Sequence, residues 1–247
     1  MKKKYGLIGY PLKHSFSQRF FTEKFEREEI EAEYCNFEIP DISVFSNIIA
    51  NNPNLNGLNV TIPYKEQVIQ FLNQIDKDAA DIGAINVIKI TKNEGNLTLK
   101  GYNSDVIGFQ KSISPLLKEH HKKALVLGTG GASKAVVQGL KNLGIETQYV
   151  SRRKQNNTIA YDELNEQIIT EHTIIVNASP LGTFPDIDTC PDIPYQYLTS
   201  LHLLYDLVYN PSPTKFLKLG AEKGTQIKDG YEMLELQALA AWDIWNS

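Results

Sequence analysis

Apolar positions along the chain follow two alternating periods. Short runs rich in β-branched and aromatic residues occur at Tyr5–Ile8, Tyr34–Glu38 and Leu58–Thr61, and read as strands. Between them lie stretches whose apolar residues return every three or four positions. In Ser17–Arg27, residues Phe20, Phe21, Lys24 and Phe25 form one stripe, which predicts a helix, and Ile42–Ala50 predicts a second. Pro63 sits where a further helix can begin, because proline lacks only an N–H that the first turn leaves unused. Strands at Ala84–Ile90 and Leu97–Tyr102, joined by the polar turn Lys92–Asn96, predict a hairpin at the edge of an otherwise parallel sheet.

After Tyr102 the alternation becomes more regular. Helices are expected at Val106–Leu117, Ala132–Asn142, Thr214–Glu222 and Tyr231–Trp245, and strands at Ala124–Leu127, Thr147–Val150, Thr173–Val176, Leu203–Asp206 and Gln226–Lys228. Repeated β and α units of this kind imply an α/β fold, with a parallel sheet covered on both faces. The last helix is apolar on most sides, so it is expected to pack on more than its own neighbours. No internal repeat or low-complexity segment is present.

With 247 residues, 42% hydrophobic and 22% charged, the chain can bury a core of one large or two small domains without disulfides or metals. Its net charge of −4 offers no field for a polyanion, so nucleic acid is not an expected partner. Lys2, Lys3 and Lys4 resemble the start of a signal peptide, but Gly6, Gly9, Pro11 and Lys13 follow too soon for an apolar core, which predicts a cytoplasmic protein. No run reaches the roughly 18 apolar residues that span a bilayer. Cys35 and Cys190 are isolated, so they are expected to be buried, reduced thiols, with no metal site.

The run Ala124–Leu127 leads directly into Gly128, Thr129, Gly130, Gly131, Ala132 and Ser133, and then into a helical pattern. This is the context of a dinucleotide-binding turn. Gly128 permits the tight turn, Gly130 lets the backbone approach a pyrophosphate, and the amides at the helix start face its charge. Turns before helices also carry glycine for backbone reasons alone. At the end of the next strand, where an acid for the ribose hydroxyls of NAD is usual, the chain has Ser151, Arg152 and Arg153. Guanidinium groups fork onto a 2′-phosphate, so NADP is the expected cofactor; the competing reading is a solvated basic turn.

Asn59–Lys65 places the Thr61 hydroxyl at a strand end and Lys65 on the first turn of the expected helix. Ser15, Ser17, Asn86 and the run Asn103, Ser104, Asp105 each have a plain reading as caps or turn formers, Ser17 before Gln18 and Asp105 before an apolar run. Together they form a set of hydroxyls, amides, a lysine and an acid outside the nucleotide half. His120 and His121 follow a helix and are expected to be solvated, and His14 lies in the serine turn. No H-E-x-x-H, G-x-S-x-G or G-x-x-x-x-G-K-[ST] pattern occurs.

Gly9–Ser17, Asn59–Lys65, Gly83–Asn86, Gly101–Asp105, the glycine turn and the stretch from Asp229 and Gly230 to Gln237 together resemble, in order, the motif series of the shikimate dehydrogenase family. The resemblance spans nearly the whole chain. It implies an N-terminal α/β substrate domain over 1–102, a Rossmann-type NADP domain over 103–230, and a C-terminal helix over 231–247 returning to the first domain. It further implies that Lys65 and Asp105 carry the chemistry and that Ser15, Ser17, Thr61, Asn86 and Gln237 contact shikimate or 3-dehydroshikimate. Leu207, Tyr209 and Gly230 would line the space between substrate and nicotinamide. The basic turn departs from the family at Arg153, where threonine is frequent.

A ketone reduction needs a hydride donor and a proton donor. Lys65 is the expected general acid, and base in the reverse direction, with Asp105 orienting it. Ser15 and Ser17, with Tyr209, are expected to receive the ring carboxylate. A quinate or dual quinate/shikimate dehydrogenase is the neighbouring alternative, and a non-catalytic dinucleotide-binding regulator is the alternative of another class. The chain is expected to act as a monomer or homodimer.

Overall fold

The computed structural model describes residues 2–12, 15–93, 95–155 and 157–247, so Lys13 and His14 of the serine turn lie outside the described residues. The chain divides into two compact units, Met1–Ser104 with Ala238–Ser247, and Asp105–Gln237.

The first unit carries strands β1 (Lys3–Gly9), β2 (Ala32–Glu38), β3 (Leu55–Val60), β4 (Gln74–Ile75), β5 (Val87–Asn93) and β6 (Asn96–Tyr102), in the sheet order β2-β1-β3-β5-β6-β4. Its helices are α1 (Phe16–Arg27), α2 (Phe45–Asn51) and α3 (Lys77–Ile82). β1 pairs parallel with β2 and β3, while β5 is antiparallel to both β3 and β6. The hairpin is therefore present but is not the sheet edge, because the short β4 pairs parallel with β6 outside it. Period-two alternation sends Ile8 into one core with Phe45, Leu58, Val60, Ile85 and Ile88, and Tyr5 and Leu7 into the other, with Phe21, Phe25, Tyr34 and Trp245.

The expected helix at Pro63 does not form. Residues 61–66 are a turn followed by a 3-10 segment, Gln67–Phe71. The Lys65 carbonyl accepts from Ile85 N–H at 2.7 Å and the Tyr64 hydroxyl reaches Ile39 O at 2.7 Å, so both residues are committed to other segments. The cap of α1 is Ser15, whose Oγ accepts from Gln18 N–H at 3.1 Å, and Ser17 lies inside the first turn. Asp105 likewise sits inside α4 (Ser104–Ile113), not ahead of it.

The second unit holds β7 (Lys123–Leu127), β8 (Glu146–Ser151), β9 (Thr158–Ala160), β10 (Ile174–Asn177), β11 (Leu203–Asp206) and β12 (Gln226–Lys228), all parallel, in the order β12-β11-β10-β7-β8-β9. Helices α4, α5 (Gly131–Asn142), α6 (Glu166–Glu171), α7 (Lys215–Ala221) and the start of α8 (Tyr231–Asn246) belong to it. Both sheet faces are covered: Ala124 and Val126 enter one core, Leu125 and Leu127 the other.

His121 is buried rather than solvated. Its Nδ1 accepts from Lys118 N–H at 3.0 Å and its Nε2 meets Leu201 O at 3.2 Å, so the ring staples the turn before β7. Burial accordingly holds its pKa below the usual histidine range. The free thiols Cys35 and Cys190 are half-buried, less enclosed than expected. Among the described residues, no helix is long and apolar enough to cross a membrane.

Candidate active-site residues and family

In the first unit, backbone hydrogen bonds gather three of the expected residues. Val60 N–H donates to Asn86 O at 2.9 Å and Ile85 N–H to Lys65 O at 2.7 Å, which fixes the ends of the Thr61–Lys65 turn against the segment carrying Asn86. The Thr61 N–H donates to Ile8 O and its carbonyl accepts from Tyr64 N–H, both at 2.9 Å, so the turn begins where β3 leaves the sheet. Gly9 lets Thr61 lie close: a Cβ there would stand 2.4 Å from Thr61 Cγ2.

Asn86 is buried and fully oriented. Its Nδ2 donates to Ser104 Oγ at 3.0 Å and its Oδ1 accepts from Ser104 N–H at 2.6 Å. Asn103 Nδ2 donates to Ala84 O at 2.8 Å, anchoring the segment that leads into Asp105. Asn59, which pattern reading left without a role, is also buried; it accepts from the Tyr34 hydroxyl at 2.7 Å and donates to Asn86 O at 3.3 Å. Polar residues at consecutive strand ends were the available signal for this network. Ser15, Ser17 and Lys65 are half-buried.

In the second unit, Asp105 lies in the first turn of α4 and is buried. One turn on, Gly108 allows α8 to approach: a Cβ there would stand 2.7 Å from Met233 O and 2.9 Å from Gln237 N. Gln237 is buried, with its Nε2 donating to Leu234 O at 2.9 Å. Lys65 thus belongs to the first unit, and Asp105 with Gln237 to the second.

The glycine turn joins β7 to α5. Gly128 has φ +112°, a conformation that L side chains rarely adopt, and a Cβ there would also press on Ala178 O at 3.1 Å. Gly130 and Gly131 differ, because a Cβ at either would meet nothing within 4 Å. Their missing side chains leave open space beside the first turn of α5, whose cap residue Gly130 offers no side chain to its amides. Thr129 and Gly130 are exposed, and Ala132 lies in the first turn of α5. Ser133, buried, bonds Gly130 O through its hydroxyl at 2.6 Å. This open first turn fits a pyrophosphate.

At the end of β8, Ser151 turns its hydroxyl inward to Arg153 O and to Thr158 Oγ1, while Arg152 and Arg153 are exposed. Burial pushes the neighbouring Tyr161 phenol up to about 12, against the lowering field of Arg152. Past β11, Leu207 N–H donates to Asn177 O at 2.9 Å, and Gly230 sits so close that a Cβ would stand 2.2 Å from Leu207 O. Tyr209 is exposed. Pattern reading missed Asp206, fully buried just before Leu207, although an acid ending a wholly apolar strand was a visible signal.

A sequence model described as the shikimate dehydrogenase substrate binding domain matches residues 7–88. A shikimate dehydrogenase (NADP(+)) of Clostridium beijerinckii is 36% identical over 253 residues, covering 98% of this chain and 91% of that protein. The crystal structure of shikimate dehydrogenase from Aquifex aeolicus superposes with a TM-score of 0.86 at 32% identity, covering 99% of this chain and 92% of the other. That of shikimate 5-dehydrogenase from Thermus thermophilus, in complex with NADP(H) and shikimate, gives 0.85 at 27% identity, covering 98% and 93%. Similarity of this extent, over nearly the full length of each relative, means that the chain belongs to the shikimate dehydrogenase family.

Proposed function

We propose that Lys65 and Asp105 form the acid-base pair of this chain's reaction, and that Ser15, Ser17, Thr61, Asn86, Tyr209 and Gln237 hold its substrate. The chain catalyses the reversible NADP-dependent reduction of 3-dehydroshikimate to shikimate, a reading supported by relatives named shikimate dehydrogenase (NADP(+)). The observation that carries the site reading is the pair of backbone hydrogen bonds, Val60 to Asn86 and Ile85 to Lys65, that bring Thr61, Lys65 and Asn86 to one end of the first sheet.

The residues present fit the coenzyme. The space kept open at Gly130 and Gly131 is where a pyrophosphate would lie against the α5 amides, with Thr129 and Ala132 beside it. Arg152 and Arg153 would hold the 2′-phosphate on the turn that Ser151 braces, and Leu207 and Gly230 would border the nicotinamide. NADP, when bound, supplies the hydride acceptor in oxidation and, reduced, the donor in reduction.

Lys65 Nζ gives a proton to the carbonyl oxygen in reduction and takes the hydroxyl proton in oxidation, and Asp105 orients the ammonium and shares that hydroxyl. The hydroxyls of Ser15 and Ser17, with Tyr209, receive the ring carboxylate. Thr61, Asn86 and Gln237 meet the ring hydroxyls and fix the face presented to the coenzyme. Residues 1–102 form the substrate domain, 103–230 the coenzyme domain and 231–247 a C-terminal helix returning to the first, in a cytoplasmic monomer or homodimer.

The test is absorbance at the reduced-nicotinamide band after mixing the protein with shikimate and NADP, with quinate and NAD as parallel arms. Rapid reduction of NADP by shikimate is expected. A higher kcat/KM on quinate identifies a quinate dehydrogenase instead, and NADP binding without turnover on either acid identifies a regulator.

A further inference from the structure

β7 and β10 are neighbours in the second sheet, yet the chain leaves their ends in opposite directions, from β7 toward β8 and from β10 toward β11. Connections that part in this way open a crevice outside the carboxyl ends of the two strands. The glycine turn forms one wall of it. The other is the segment after Asn177, the last residue of β10, which the mechanism above does not use. Ala178 N–H donates to Leu127 O at 2.9 Å, and a Cβ on Gly128 would stand 3.1 Å from Ala178 O and 3.3 Å from Ser179 N, so this segment lies against the start of the glycine turn.

Asn177 is fully buried, and every hydrogen-bonding position of its amide is taken. Oδ1 accepts from Ser179 N–H at 3.1 Å and from Ser179 Oγ at 2.6 Å. Nδ2 donates to Leu181 O at 3.3 Å and to Asp206 Oδ1 at 2.9 Å. An amide has two donor protons and two acceptor lone pairs, so these four bonds fix its orientation. Turned over, it would set its NH2 against Ser179 N–H and its oxygen against a carboxylate. On the far side, Asp206 Oδ1 also accepts from Val208 N–H at 3.0 Å, and Asn177 O accepts from Leu207 N–H at 2.9 Å. One buried side chain thus holds the segment beside Gly128 and, through Asp206, the segment that begins at Leu207, all within the second unit.

We propose that Asn177 is a positioning residue for the coenzyme: its amide holds residues 178–181 against the glycine turn and, through Asp206, sets Leu207 in register with that turn. The inference rests on the reading of the glycine turn and Leu207 as coenzyme-binding. Being fully buried, Asn177 acts through these neighbours. Its chemical consequence is preorganisation, since a crevice whose walls are already tied together loses less entropy when a ligand enters. The tie acts at the glycine turn and at Leu207 rather than at the arginines after β8, so it serves NADP and NAD alike.

The experiment measures the Kd of NADPH and of NADH by fluorescence titration, beside the melting temperature, in Asn177→Ala, Asp206→Asn and Gly130→Ala. Asn177→Ala is expected to raise both Kd values by the same factor, about tenfold. Asp206→Asn keeps an oxygen for Asn177 and Val208 and turns its NH2 to the Thr214 hydroxyl, which can accept where it now donates. Both Kd values of that variant are therefore expected within about twofold of the unsubstituted protein.

A Gly130→Ala variant with unchanged Kd for both coenzymes overturns the reading of the glycine turn, and this inference with it. A raised Kd in Gly130→Ala beside unchanged values in Asn177→Ala overturns the inference alone, whether or not the melting temperature of Asn177→Ala falls. A rise for NADPH without one for NADH places the effect at the arginines and also overturns it, as does a Kd in Asp206→Asn as high as that in Asn177→Ala. Should Asn177→Ala fail to fold, Ser179→Ala carries the test, because Ser179 is half-buried and its hydroxyl gives its one proton to Asn177. Both Kd values are then expected to rise about threefold or more, and unchanged values overturn the inference.

Discussion

Asn177 Nδ2 donates to Asp206 Oδ1 at 2.9 Å, between residues that face each other at the ends of the paired strands β10 and β11. The same carboxylate accepts from Thr214 Oγ1 at 2.6 Å and from Val208 N–H at 3.0 Å, so one buried acid holds both ends of the segment from Val208 to Thr214. That segment carries Tyr209, and Leu207 precedes it directly.

Burial pushes the Asp206 carboxyl up to about 6, aided by the nearby charge of Asp229 and opposed by the three hydrogen bonds. Because the folded-state value lies above the unfolded one of about 3.9, the folded protein binds more protons between these limits. Asp206 therefore lowers stability progressively as pH rises from about 4 to about 6, by roughly 3 kcal/mol in full, and the loss persists above that range. Asp206→Asn removes this slope. Denaturant unfolding at pH 4, 5, 6 and 7 should show the free energy of the unsubstituted protein falling relative to the variant as pH rises, and a difference independent of pH would refute the assignment.

The glycines of the β7–α5 turn separate by function. Gly128→Ala forces an L side chain into φ +112° against Ala178 O, so a fall in melting temperature is expected. Gly130 has φ −78°, ordinary for any residue, and open space where a Cβ would go. Gly130→Ala is therefore expected to melt within about 0.5 kcal/mol of the unsubstituted protein while raising the NADP KM at least about tenfold, a pairing that thermal melts and kinetics check directly.

Both sheets were legible because strand and helix periods alternate strongly where burial is complete, as in Ala124–Leu127, with every residue buried. The elements that pattern reading missed are short: β4, β9, α3 and α6 have two to six residues each, too few to establish a period. Pro63 misled for a different reason. A proline suits a first helical turn, but the Lys65 carbonyl is taken by Ile85, a tertiary contact with no local trace in the sequence. His121 was read as solvated because its acceptor, Leu201 O, lies 80 residues away. The proposed site residues stand in sequence motifs, whereas Asp206, which holds both ends of the segment carrying Tyr209, resembles an ordinary strand residue in a linear pattern.

Trp245, near the end of α8, joins that helix to the first sheet. It stacks on Tyr5 at 4.8 Å, lies 5.2 Å from Phe21, and donates its indole N–H to Ile88 O at 3.1 Å. Gly57 makes room for it, since a Cβ there would stand 2.4 Å from the indole. Trp245→Ala leaves a cavity and an unpaired carbonyl, for an expected cost of about 3–5 kcal/mol, measured by denaturant unfolding. Gly57→Ala should also destabilise, by collision at the same place, and unchanged stability in both would show that α8 contributes little there.

The exposed pair Arg152 and Arg153 should govern coenzyme choice with little effect on the fold. Arg152→Ala combined with Arg153→Ala is expected to raise the NADP KM at least about tenfold and to leave the NAD KM nearly unchanged, because only the former coenzyme presents a 2′-phosphate. The added affinity for NADP should weaken with salt, since the contacts are solvent-exposed. Equal changes for both coenzymes would place the arginines elsewhere in recognition.

Lys65 and Asp105 are separable from the binding residues by which kinetic constant moves. Removing a general acid-base group costs typically about 10²–10⁴ in kcat, so Lys65→Ala is expected to lose activity on that scale with a small change in shikimate KM. Lys65→Arg should not restore it, because a guanidinium does not release its proton at working pH and so cannot serve as base in shikimate oxidation. Asp105→Asn keeps the shape and a hydrogen-bonding group but removes the charge, so on the proposed pairing a kcat loss smaller than that of Lys65→Ala is expected. Ser15→Ala, by contrast, should chiefly raise the shikimate KM. A purified, folded Lys65→Ala variant with near-normal kcat would remove Lys65 from the chemistry and leave it a binding role, in which case its main effect would be on KM, like that of the serine.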